Sequence, residues 1–188
     1  MGAGSLILYL GDNMNYETFV SAVIVLIIFF ITIMILIGVI FHSKVKIIVS
    51  LFKEVKSYLD RLNLYVLDRE YLSLFNEFTE LKDNPEKYSY RQIFKKFADI
   101  EIKLNEIKEV LYYLSSIKDC YDNAKSIVES NSSKDPVVLG YLRIIKAKYD
   151  EACTTVIYNG YNNQLNKLKL IMECAVRQLN LVRIGVYL

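Results

Sequence analysis

A chain of 188 residues that is 53% hydrophobic, with 7 Gly, 2 Pro and 3 Cys, has room for about one domain and few turns, which argues against a many-stranded sandwich or a βαβ enzyme. Its aliphatic and aromatic content excludes a disordered chain, three widely spaced cysteines exclude a disulfide scaffold, and a single histidine, His42, excludes zinc sites that need two imidazoles. A net charge of +2 gives a nucleic-acid role no electrostatic support.

The first predicted element is a membrane span. Residues 18–41 carry no charge over 24 positions, about 36 Å of helix against a hydrocarbon core of roughly 30 Å. Only isolated Ser and Thr interrupt the run, so it has no polar face with which to meet water. No Lys or Arg precedes it and no small-x-small site follows it, which makes it a poor match to a cleaved signal peptide. The opening residues lack the Ser or Thr of a myristoylation signal at position 6, where Leu6 stands. Asp12 and Glu17 lie before the span without a cation, whereas Lys44, Lys46, Lys53, Lys56 and Arg61 follow it. Because cations resist translocation, residues 1–17 are expected to form a short outside tail, with residues 44–188 in the cytoplasm and His42 at the interface.

The remainder reads as long helices. Neither Gly nor Pro occurs between Gly38 and Pro85, nor between Pro85 and Pro136, so two breaks, at 83–86 and 130–136, predict three long soluble helices. The first carries apolar Ile48, Leu51, Val55, Tyr58, Leu62, Tyr65, Leu72 and Phe75 at helical spacing, with Arg69 where the pattern wants an apolar side chain. Phe97, Ile100, Leu104, Ile107, Leu111, Leu114 and Ile117 continue it on the second. Tyr161, Leu165, Leu168, Met172, Ala175, Leu179 and Val182 do so on the third. Such seams joined by short loops predict an all-α fold: one N-terminal transmembrane helix followed by an antiparallel, coiled-coil-like bundle of three to four long helices. Gly140 and Gly160 mark a close helix crossing or a break, leaving open whether the last segment is one helix or two.

No catalytic, cofactor-binding or metal-binding residue is assigned. Lys103, Glu106, Lys108 and Glu109 fall between seam positions and read as a solvated face. Cys120, Cys153 and Cys174 have neither a partner cysteine at three residues nor a nearby histidine, and read as small buried hydrophobes. Gly140, Gly160 and Gly185 stand alone and make no phosphate-binding loop. Fifteen tyrosines without a basic groove read as packing rather than base stacking. The amides of 158–166 suit inter-helix hydrogen bonds that fix register.

Two patches add a family resemblance. Leu62-Asn63-Leu64-Tyr65-Val66-Leu67-Asp68-Arg69-Glu70-Tyr71-Leu72 resembles the aliphatic and acidic-or-amide run, followed by Arg and Leu, on the first soluble helix of the LemA family of bacterial membrane proteins. Tyr158-Asn159 and Tyr161-Asn162, followed by Leu165, are similar to that family's two C-terminal Tyr-Asn pairs, with Gly185 and Tyr187-Leu188 near the end. The family's usual Trp has no counterpart, Tyr58 standing nearest. The resemblance implies a single-span protein whose cytoplasmic bundle acts by contacts and not by catalysis. The expected partners are the lipid bilayer and other proteins, with no nucleic acid, small-molecule substrate or cofactor. A membrane-tethered, spectrin-like regulator of cell division or envelope assembly shares the same orientation and periodicity and is the alternative.

Overall fold

The computed structural model describes residues 16–131, 135–159 and 164–187. Five α-helices and one 3-10 turn account for nearly all of them, and no strand occurs among the described residues. Helix α1 spans Tyr16–Leu62, α2 Tyr65–Asp83, α3 Tyr90–Ser130, α4 Pro136–Asn159 and α5 Leu165–Tyr187, with the 3-10 turn at Pro85–Lys87. The chain divides into two compact units, Met1–Lys46 and Ile47–Leu188.

In the first unit, the described part of α1 is apolar and almost wholly exposed. Two of its hydroxyls return to the helix itself: Ser21 Oγ donates to the carbonyl of Glu17 and Thr32 Oγ1 to that of Ile28, each at 2.8 Å. Each of these two hydroxyls is thereby satisfied one turn back along the helix.

The second unit holds the core. Ile48, Phe52, Val55 and Leu59 of α1 are buried, and the Phe52 ring gathers Tyr71, Phe75 and Phe78 of α2 at centroid distances of 5.5, 5.3 and 5.5 Å. Phe78 passes the contact on to Phe97 of α3 at 5.8 Å. Helix α3 packs on α4 and α5, which also pack on each other. Along α3 the buried positions Ile93, Phe97, Ile100, Leu104, Ile107, Leu111, Leu114 and Ile117 recur in steps of three and four, so one stripe of the 41-residue helix stays inside. The predicted seam residues Leu168, Ala175, Leu179 and Val182 of α5 are likewise buried, while Leu165 and Met172 are half-buried and Tyr161 lies outside the described residues.

Local signals set the helix ends. Ser89 caps α3 in a reciprocal box with Gln92: the Gln92 amide donates to Ser89 Oγ at 3.3 Å and the Ser89 amide to Gln92 Oε1 at 2.9 Å. Asp135 Oδ1 accepts from the Val137 amide at 2.8 Å beside Pro136, the first residue of α4.

Three expectations are corrected. The first soluble segment is two helices, because Asn63 takes a left-handed φ of 53° and the Leu64 amide donates back to the Leu59 carbonyl at 3.4 Å. This is a helix stop in which asparagine replaces the usual glycine and the next residue, Leu64, is buried. The break resets the register, so Tyr71, Leu74, Phe78 and Leu81 face inward while the expected seam residues Leu72 and Phe75 are 51% and 41% exposed. Arg69 is then an ordinary exposed side chain and does not stand on the seam. Thirdly, Gly140 has open space around it, and the close approach falls at Gly185, where an added Cβ would stand 2.9 Å from Val138 Cγ2. The last segment is two helices, α4 and α5.

Candidate functional site

By length and composition, α1 is long and apolar enough to cross a membrane. Near the end of its charge-free stretch a concave notch of about 480 Å³ is lined by Ile35, Gly38, Val39, His42, Ser43 and Lys46. All six belong to the first unit. Residues four apart on a helix stack above one another, so the lining forms two rows, Ile35–Val39–Ser43 and Gly38–His42–Lys46, with the groove between them. Gly38 deepens it, since nothing lies within 4 Å of where its Cβ would be. Sequence reading gave His42 an interfacial role but did not group these six. The signal was available as helical spacing around an isolated glycine at the edge of an apolar run.

The second unit has a smaller groove of about 300 Å³, lined by Tyr58 of α1 and Asn105, Lys108, Glu109 and Tyr112 of α3. Lys108 is ion-paired with Glu54 of α1, and Glu109 with Lys169 of α5 at 3.9 Å. The Lys169 ammonium also lies 5.7 Å from the Tyr113 ring centroid. Of the residues read as a solvated face, Lys103 and Glu106 are exposed, whereas Lys108 and Glu109 help tie α3 to its neighbours.

A further polar cluster links α4 and α5. Glu151 accepts from Lys148 at 2.8 Å and lies 3.8 Å from Lys167, whose ammonium donates to buried Thr155 Oγ1 at 2.9 Å. The hydrogen bond from Lys148 holds the Glu151 carboxyl below the ordinary carboxylate range, and the same bond raises the Lys148 ammonium. Sequence alone could not find this cluster, because its members lie on two helices whose facing residues depend on the intervening turn.

Among the cysteines, Cys120 is buried, while Cys153 and Cys174 are half-buried. Burial raises the thiols of Cys120 and Cys153, keeping them protonated and poorly nucleophilic. Burial also raises the Tyr149 phenol, which is hydrogen-bonded to Cys153. Among the described residues no three His, Cys, Asp or Glu side chains gather as a metal site. The amides of residues 159–163 and the rings of Tyr158 and Tyr161 lie outside the described side chains, as do those of residues 65–68 in the first LemA-like patch.

No family model matches this chain, no curated protein matches it, and no solved structure does.

Proposed function

We propose that this protein is a single-span, membrane-anchored helical scaffold, with its N-terminus outside and residues 44–188 forming an antiparallel bundle in the cytoplasm that acts by binding other proteins. The observation that carries the reading is the contrast within α1, whose apolar residues 18–41 are exposed while Ile48, Phe52 and Val55 are buried among protein. An apolar surface of that size, wrapping all sides of a helix long enough to span, suits hydrocarbon. The cations that begin at Lys44, with none between Tyr16 and Ser43, support the cytoplasmic orientation.

Pair contacts support the bundle. Thr155 meets Lys167 and Val138 meets Gly185, so numbers rise along α4 as they fall along α5. Glu54 pairs with Lys108 and Arg61 with Asp119, so the end of α1 runs alongside α3 in the same sense, as alternate helices of an up-and-down bundle do. A binding role is supported by apolar side chains left outside the core, Leu170, Leu181 and Ile184 on α5 among them. Tethering raises the local concentration of such a surface, so weak contacts suffice. The LemA resemblance rests on residues 62–72 and 158–165 and points to the same non-enzymatic role.

The test combines topology with partner capture. A single cysteine placed at residue 135 of a chain freed of its own three is expected to resist an impermeant thiol reagent in intact cells and to react after permeabilisation. Labelling in intact cells overturns the orientation. Crosslinking followed by mass spectrometry is expected to recover one protein repeatedly; stoichiometric binding of a nucleotide or metal by the purified chain overturns the scaffold reading.

A further inference from the structure

The notch on α1 changes character along its length. At its lower-numbered end it presents Ile35, Val39 and the bare backbone of Gly38, and within two turns the same two rows present a hydroxyl, an imidazole and an ammonium, from Ser43, His42 and Lys46. A groove that is apolar at one end and cationic at the other, placed where a charge-free run gives way to lysines, has the polarity of one phospholipid molecule. We propose that it is a binding site for a single anionic phospholipid, the headgroup phosphate accepting hydrogen bonds from Lys46, Ser43 and His42 and an acyl chain lying along Gly38 between Ile35 and Val39. The proposal rests on the reading that α1 spans a membrane.

Charge favours an anionic lipid over a zwitterionic one. No Asp or Glu occurs between Glu17 and Glu54, so Lys46, the lysine that lines the notch, has no carboxylate within a turn of it along the helix, and Glu54 itself is paired with Lys108. The main competing occupant is a second copy of the helix packed at Gly38. Close helix pairing in a bilayer favours a second small residue four positions away, and here those positions are Met34 and His42. Two copies meeting there would also bring their Lys46 ammoniums together.

The full-length protein is reconstituted in phosphatidylcholine vesicles containing phosphatidylglycerol as the minority lipid, floated, released, and its retained lipid counted by native mass spectrometry. The expected result is preferential retention of one phosphatidylglycerol per chain, reduced about five-fold in Lys46→Gln, the worth of one lysine against an anionic surface. Gly38→Leu, which fills the groove and leaves every charge in place, is expected to reduce it similarly. Lys53→Gln, which removes a cation outside the notch, is expected to behave as the unaltered chain. The proposal is overturned by equal retention of the two lipids, by an equal loss in Lys53→Gln, by full retention in Gly38→Leu, by displacement of the bound lipid with millimolar inorganic phosphate, or by efficient disulfide formation between copies of Gly38→Cys. Failure of the chain to float with the vesicles would instead overturn the membrane reading itself.

Discussion

The two units spend the same amino acids in opposite ways. Phe30 in the first is 68% exposed and Phe97 in the second is fully buried, though both lie in long helices. The difference lies in what stands between the apolar residues. In α3 charged residues fill the positions between the buried stripe, so one face turns inward and the other stays in water. In residues 18–41 nothing charged fills them and no face is preferred, the pattern that suits an environment apolar on all sides.

A buried charge breaks the comparison most forcefully. Leu104→Asp places an unpaired carboxylate on the inner stripe of α3, where the native side chain has no exposure, and is expected to cost ~4 kcal/mol or more, enough to unfold the second unit. Leu36→Asp in the apolar run is expected to leave that unit folded and to penalise membrane insertion by ~3 kcal/mol. Circular dichroism of the detergent-solubilised chain together with carbonate extraction separates the two; equal loss of helicity in both variants would remove the distinction.

Packing between α4 and α5 gives an intermediate effect. Gly185→Ala drives a methyl towards Val138 Cγ2 and is expected to cost ~1 kcal/mol or more by overpacking, despite the better helix propensity of alanine. In a Val138→Ala background the same change should become neutral or stabilising, since only the propensity gain remains. Denaturant unfolding of the unaltered chain, the two single variants and the double variant reads the coupling, and additive effects would contradict the close approach.

The helix stop at Asn63 sharpens the comparison, because it alone separates α1 from α2. Asn63→Ala should cost ~1 kcal/mol, the price of a left-handed φ without asparagine's tolerance for it, whereas Asn63→Gly should be neutral or slightly stabilising. The smallest effect concerns Glu151. Its carboxyl pKa is depressed in the folded chain, so its contribution is fully present above the ordinary value of 4.5 and fades as pH falls through the folded value. Partial exposure keeps it below ~1 kcal/mol. Thermal melts between pH 3 and pH 7 should show a shallower acid decline in Glu151→Gln.

The sequence by itself determined the helical class, the charge-free run, the breaks before Pro85 and Pro136 and the inner stripe of α3. Each depends on composition or on spacing within one element, and the period of the α-helix converts spacing directly into a face. Even the stop at Asn63 was written locally, as an asparagine between two leucines, though it carries less weight on the page than a glycine or proline. Tertiary structure decided what lies between elements: the shift of the α2 seam to Tyr71, Leu74 and Phe78, the meeting of Gly185 with Val138, and the gathering of Glu151, Thr155 and Lys167 across two helices. Those pairings depend on how each turn rotates one helix against the next, and a rotation of a single residue, about 100°, changes which side chains face one another.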